Sequence, residues 1–116
     1  MNRWKAHAHH ILDTAERLRR IQARGRVSED EILYDAALRN LQTLSEATQF
    51  LPEEGQALCP DIPWKEIKGF RNILVHNYLG EIDPLTVESV ITEHLPALEA
   101  CVKSILASTG DDDLQS

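Results

Sequence analysis

The chain has 116 residues, which is enough for one compact domain with a buried core and too few for two independent domains. Apolar residues make up 42% of it and charged residues 27%, a balance that excludes collagen-like and wholly disordered proteins. The formal net charge of -7 argues against a protein that binds nucleic acid through its whole surface.

Two helices are predicted in the first half of the chain. Apolar residues spaced by three and four predict a helix over residues 4–24, which Gly25 should end. Ser28 and Glu31 have the spacing of a capping box, so a second helix is expected over about residues 29–51. Its apolar face, widened by Tyr34 and Leu38, is broad enough to contact a second subunit as well as a neighbouring helix.

Two more helices are predicted after a proline-rich connection. The third should begin at Pro63 and reach about residue 79. Asp83 and Pro84 mark the start of the fourth, which Pro96 should bend or split because proline removes a helical hydrogen bond. No alternating β-branched run separates these segments, so the sequence predicts an all-α fold, a small bundle of four to five helices.

The ends of the chain and its cysteines complete this outline. Residues 1–108 are expected to form one helical domain and residues 109–116 an acidic, flexible tail. No apolar run reaches the about 20 residues of a spanning helix, and no signal peptide is recognisable, which predicts a cytoplasmic protein without membrane contact. Cys59 and Cys101 belong to no cluster with metal-ligand spacing, so we expect both to be reduced and no metal or cofactor to be bound.

The third predicted helix carries an unusual concentration of polar groups. Five of its eight residues from 71 to 78 are polar or ionisable: Arg71, Asn72, His76, Asn77 and Tyr78. At about 100° per residue, His76 lies about 140° around the helix from Arg71. These two groups can meet at one ligand if the long Arg71 side chain wraps around, or if a two-fold axis brings the motifs of two protomers together. We favour the second arrangement.

These residue types suit cleavage of RNA, whose own 2′-hydroxyl is an internal nucleophile that needs no metal-bound water. A histidine can exchange a proton near neutral pH, so His76 could act as base or acid. Arg71 would hold the scissile phosphate, and Asn72 or Asn77 could orient either group. The structural alternative, in which Arg71 forms a surface ion pair and His76 caps a helix, is favoured by spacing alone.

Several residues around the motif have both a functional and a structural interpretation. Lys65 and Lys68 are candidate RNA contacts because they directly precede Arg71. Glu46 could orient Arg71 or merely pair with a neighbouring cation. Gly69 should cost its helix about 1 kcal/mol relative to alanine, which suggests close approach of another helix or of an RNA backbone. The arginines near the end of the first helix could contact RNA or form a solvated, charge-balanced face: Arg17, Arg19, Arg20, Arg24 and Arg26.

The segment of residues 60–78, Pro-Asp-Ile-Pro-Trp-Lys-Glu-Ile-Lys-Gly-Phe-Arg-Asn-Ile-Leu-Val-His-Asn-Tyr, strongly resembles the signature region of HepT-like toxins, which are ribonucleases of the HEPN superfamily. Residues 36–47 resemble the second helix of that family, and residues 93–98 resemble its last. The similarity covers most of residues 4–107. It implies a HEPN-type helical homodimer with a composite cleft.

The resemblance also implies an activity and a partner. Arg71 and His76 match the residues that make the family a metal-independent endoribonuclease, the toxin of a type VII-like toxin–antitoxin pair. The antitoxin would be a minimal nucleotidyltransferase of the MntA type, which silences the toxin by adenylylation of the position matched by Tyr78. The alternative is a non-catalytic HEPN module that binds a nucleotide or docks a nucleotidyltransferase through the same helix.

Overall fold

The computed structural model describes residues 3–76 and 82–115, with side chains up to residue 108. These residues form helices and connections without any strand, which confirms the predicted all-α bundle. The helices are α1 (Arg3–Arg24), α2 (Glu31–Thr48), α3 (Glu53–Ala57), α4 (Trp64–His76), α5 (Pro84–Ser89) and α6 (Leu95–Gln115). None of those within the described ranges combines the length and apolar character needed to cross a bilayer.

The core lies between α1, α2 and α6. The predicted apolar stripe of α1 is confirmed, since Ile11 and Leu18 are completely buried. From the other side of the core, Val102 and Ile105 of α6 are equally inaccessible. An ion pair between exposed Arg19 of α1 and the buried carboxylate of Glu99 ties α1 to α6 at the edge of this core.

The connection between α1 and α2 differs from the expected capping box. Gly25 ends α1 with a φ of +157°, a backbone value that side-chain-bearing residues rarely adopt. Asp30, rather than Ser28, caps α2, because its carboxylate accepts hydrogen bonds from the backbone N–H groups of Ile32 and Leu33. The Ser28 hydroxyl instead donates to Glu88 of α5 over 2.9 Å.

The fourth predicted helix is divided by one widened turn. Residues Val90–His94 form a π-helical turn between α5 and α6, in which the N–H of Leu95 donates to the carbonyl of Val90. This turn directly precedes Pro96, whose ring cannot be fitted into a regular α-helix without displacing the turn before it. Pro96 therefore divides the helix, as expected. α6 continues past residue 108, and the flexibility of residues 109–116 stays a prediction.

The expectation of two reduced cysteines is wrong for this structure. Cys59 and Cys101 are joined as a disulfide, with Cα atoms 6.0 Å apart. Their separation of 42 residues gave no sign of proximity in the sequence. It arises because α6 passes beside the connection between α3 and α4, so that a core cysteine faces one in that connection.

Two features near α2 also differ from expectation. Tyr34, assigned from the sequence to a possible subunit interface, is buried within the protomer, and its hydroxyl donates to the carbonyl of Ile82. Burial is the main cause that raises the pKa of Tyr34, followed by the nearby charges of Asp35 and Asp83. The short helix α3 was not predicted, because five residues are too few for a periodic apolar pattern.

Candidate active site

The start of α4 is fixed by its first side chain. Pro63 precedes the helix, and its carbonyl accepts the N–H of Ile67 over 3.0 Å. The indole Nε1 of Trp64 donates to the carbonyls of Gln56 at 3.2 Å and Cys59 at 3.1 Å. Since Cys59 is also linked to α6, the N-terminal end of α4 is held against the core by both hydrogen bonds and a covalent bond.

Most of α4 lies at the surface. Among its side chains, all of which are described, only Leu74 is buried. Ile67 and Phe70 are half-buried and pack against the core cluster, while Ile73 remains 45% exposed. The helix therefore contacts the bundle along one narrow face, and the wide remaining face is open to a ligand or a partner.

Arg71 lies on the side of α4 that faces α2. Its side chain is 33% exposed, and its Nε lies 3.7 Å from a carboxylate oxygen of Glu46, an ion-pair distance too long for a hydrogen bond. That Nε is buried and has no hydrogen-bond partner. Its Nη1 donates to the Oδ1 of Asn72 over 3.1 Å. The sequence left open which group Asn72 and Glu46 orient, and in the structure both contact Arg71.

His76 is exposed at the C-terminal end of α4, where its imidazole is accessible to solvent. No hydrogen bond joins it to Arg71, in accord with the about 140° that separate these positions around a helix. Lys65 and Lys68 are exposed on the same helix. Asn77 and Tyr78, the two other motif residues, lie outside the described residues.

The arginines at the end of α1 divide into two groups. Arg19 is paired with Glu99, and Arg26 is paired with Glu88 at 2.7 Å and Glu29 at 3.1 Å. The remaining three are exposed and form no ion pair with any residue in the described ranges: Arg17, Arg20 and Arg24. The Arg26 hydrogen bonds lower the pKa of Glu88 to about 2, with a further contribution from the Ser28 hydroxyl. Arg19 thus links α1 to α6, and Arg26 links the connection after α1 to α5, so both arginines have structural partners.

A cavity of ≈ 250 Å³ opens beside this network. Its lining is mostly polar and includes the Arg26–Glu88 ion pair together with Gln22 and Thr92. It contains none of the motif residues of α4. Across residues 3–76 and 82–115, no three His, Cys, Asp or Glu side chains are grouped closely enough to hold a metal ion.

Sequence reasoning missed the residues that support the motif from outside α4. Trp64 was noted only as part of a signature, although its indole bridges two carbonyls of the preceding connection. The disulfide partner Cys101 lies on a different helix and left no local signal. Only a prediction of which helices are neighbours would have identified these supports, since each depends on contacts between separate segments.

Comparison with known proteins identifies the family. Residues 9–105 match the profile of the family described as Ribonuclease HepT-like. "Putative RNase TTE0752" of Caldanaerobacter subterraneus subsp. tengcongensis is 38% identical over 78 residues, 67% of this chain and 69% of the relative. "Putative RNase MJ1380" of Methanocaldococcus jannaschii is 33% identical over 70 residues, 60% of this chain and 63% of the relative.

A third relative aligns over more of its length. "Probable ribonuclease HepT" of Thermococcus cleftensis is 29% identical over 101 residues, 82% of this chain and 91% of the relative. No solved structure matches the chain significantly. The family profile spans both the α1–α2 core and the motif helix α4. This helical chain therefore belongs to the HepT-like ribonuclease family.

Proposed function

We propose that this protein is a metal-independent endoribonuclease and the toxin of a type VII-like toxin–antitoxin pair. One observation carries the enzymatic part of the proposal. The guanidinium of Arg71 on α4 lies beside Glu46 of α2 and donates to Asn72, and the same helix α4 presents an exposed His76. A positioned cation and an accessible imidazole are the two groups that RNA cleavage by its own 2′-hydroxyl requires.

The reaction needs no external nucleophile. The 2′-oxygen forms a bond to phosphorus while the bond from phosphorus to the 5′-oxygen breaks, which leaves a 2′,3′-cyclic phosphate and a free 5′-hydroxyl. His76 would either accept the 2′-hydroxyl proton or donate a proton to the departing 5′-oxygen. Arg71 would stabilise the additional negative charge on the phosphoryl oxygens. Its Nη1 uses one N–H group for Asn72 and its Nε lies beside Glu46, so the phosphate would be bound through the remaining N–H groups of Nη1 and Nη2.

A homodimer would bring the two groups together. Within one protomer, Arg71 faces α2 and His76 faces solvent, so one phosphate is better reached by Arg71 of one protomer and His76 of the other. Ile73, a large apolar side chain 45% exposed and three residues before His76, offers apolar surface for a second protomer to cover. Ile73→Asp should therefore produce monomers that no longer cleave RNA.

The biological role follows from the resemblance of residues 60–78 to HepT-like toxins. A minimal nucleotidyltransferase of the MntA type would be the antitoxin. It would transfer AMP from ATP to the hydroxyl of Tyr78, two residues after His76, with release of pyrophosphate and the hydroxyl proton. The added negative charge and bulk would repel RNA and block its approach. Both proteins would act in the cytoplasm. Mass spectrometry after co-expression should show AMP-sized additions that disappear in Tyr78→Phe.

The decisive experiment is RNA cleavage by the purified protein with a metal chelator present. Wild type should cleave, and His76→Ala should lose at least about 100-fold in rate with an unchanged unfolding midpoint. His10→Ala, which removes an exposed histidine from α1, should retain full activity. Cleavage that depends on added metal would contradict the mechanism. RNA binding without cleavage by the unmodified protein would instead indicate a non-catalytic binding module.

A further inference from the structure

Gly69 is in the middle of α4, where glycine is the least favourable helix residue apart from proline. A Cβ built at this position has no atom of residues 3–76 or 82–108 within 4 Å. Gly55 differs, because a Cβ there would lie 3.1 Å from the Cγ2 of Ile105. Gly25 also differs, because of its positive φ. The folded protomer therefore explains two of these glycines and leaves Gly69 without an intramolecular reason.

The angular position of Gly69 on α4 indicates which side of the helix it lies on. Counting about 100° per residue, Gly69 lies about 140° around α4 from the buried Leu74 and thus points away from the core. On the same count, Lys65 is within about 40° of Gly69 and His76 within about 20°. Gly69 is therefore a position without a side chain on the solvent face, between Lys65 and the proposed acid–base group. Ile73 also lies within about 40° of it, so Gly69 borders the surface assigned above to the second protomer.

The residues from Lys65 past Gly69 to His76 form one strip of the α4 surface. The charge of this strip indicates which kind of molecule binds there. Lys65 and Lys68 are exposed four residues and one residue before Gly69, and the exposed amide of Asn72 follows it. Within α4 the acidic residue is Glu66, against the cations Lys65, Lys68 and Arg71, so this helix carries a positive charge. An uncharged gap between two ammonium groups and an imidazole, about 10 Å from His76 along the helix, suits a chain of phosphates and sugars.

We infer that Gly69 is the point at which the sugar–phosphate backbone of RNA lies directly against α4, on its way from Lys65 and Lys68 to the cleavage position at His76. The inference rests on the proposed ribonuclease function and names the position that determines how closely the substrate approaches. A side chain at 69 would hold the backbone away from the helix and misplace the nucleotides next to the scissile phosphate.

Gly69→Ala and Gly69→Leu test this inference. Each variant should become more stable and, at the same time, bind the substrate more weakly. Both should raise the melting temperature, by about 4 °C for alanine, because no atom of the described residues lies within 4 Å of the added Cβ and helix propensity improves. Both should raise KM for a single-stranded oligoribonucleotide, about tenfold for alanine and more for leucine, with a smaller change in kcat. Ser104→Ala is the control: it improves propensity at an exposed position of α6 and should leave KM unchanged.

The Kd of the same oligoribonucleotide, measured in a His76→Ala background where it is not cut, should rise in parallel with KM. Unchanged KM and Kd in Gly69→Leu, with wild type active, would overturn this inference and leave the ribonuclease function standing. A loss of the dimer in Gly69→Leu, seen by light scattering, would also overturn it, because a second protomer would then occupy the strip. Absence of cleavage by wild type would overturn the proposed function itself.

Discussion

α1 and α4 use their residues in opposite ways. α1 buries five of its side chains completely or almost so, and its arginine at position 19 is paired with a buried carboxylate. α4 buries only Leu74 and leaves most of its polar residues at the surface. Free energy of folding is therefore concentrated in α1 and its neighbours, while α4 carries the proposed reactive groups on a largely exposed helix, apart from the buried and unbonded Nε of Arg71. Changes in the two helices should have separable consequences.

The largest effect on stability is expected from the disulfide, which connects the segment before α4 to the core. Closing a chain segment of this length should contribute about 4 kcal/mol through the reduced entropy of the unfolded chain. Urea unfolding with and without a reductant measures this difference. In Cys59→Ser the reductant should change nothing. Equal unfolding free energies of oxidised and reduced wild type would show that the link between the two regions adds no stability.

Leu18→Ala tests the core side of the comparison. Leu18 is completely buried, so truncation should lower the free energy of unfolding by about 3 kcal/mol through lost burial and a residual cavity. Denaturant titration measures the loss, and RNA cleavage per folded molecule should stay close to wild type. The matched control is Ile32→Ala, which removes a side chain that is 79% exposed and should change stability by less than about 0.5 kcal/mol.

Arg71→Lys tests the α4 side. Lysine keeps the positive charge but lacks the planar fork that contacts Asn72 and faces Glu46, so kcat/KM should fall about 100-fold, equivalent to about 2.7 kcal/mol. The unfolding midpoint should change little. Arg3→Lys at the start of α1 alters an exposed arginine in the same way and should leave cleavage intact. A decrease in kcat/KM of less than threefold in Arg71→Lys would show that the guanidinium of Arg71 does not bind the phosphate.

Glu88→Gln should produce the smallest effect and one that depends on pH. Folding lowers the pKa of Glu88 from 4.5 to about 2, so the ionised form is stabilised in the folded protein. The advantage of wild type over the variant should be present above about pH 4.5 and disappear as the pH falls through about 2. Thermal unfolding from pH 2 to 7 measures it, with Glu54→Gln on α3 as the control. A difference that grows towards low pH would have the wrong sign.

The sequence predicted the helices better than their contacts. The stripes of α1 and α6, the end of α1 at Gly25 and the Asp83 start signal are local patterns, and the structure has each of them. Asp83 indeed accepts the N–H of Leu85. The capping box failed because Ser28 has a better partner in Glu88, sixty residues away. Pairings of this kind depend on which helices are neighbours, and that information is absent from a local pattern.

The motif of α4 shows the same difference between residues, which the sequence predicts, and their contacts, which it does not. Arg71 and His76 were selected as candidates from the sequence, and their catalytic role stays a prediction. The contacts of Arg71 with Asn72 and Glu46 could only be stated as options, since a side chain can satisfy its polar groups with any neighbour in reach.

The widened turn at Val90–His94 has a consequence for how the last third of the chain tolerates insertions and deletions. Because it holds one residue more than a regular turn, it resets the angular phase between α5 and α6, and both Val87 and Val102 reach the interior. Removing one residue there would rotate every position of α6 by about 100° relative to α5. These five residues thus set the angular offset between the two helices, so their number is constrained, and Ile91 among them is also a buried core side chain.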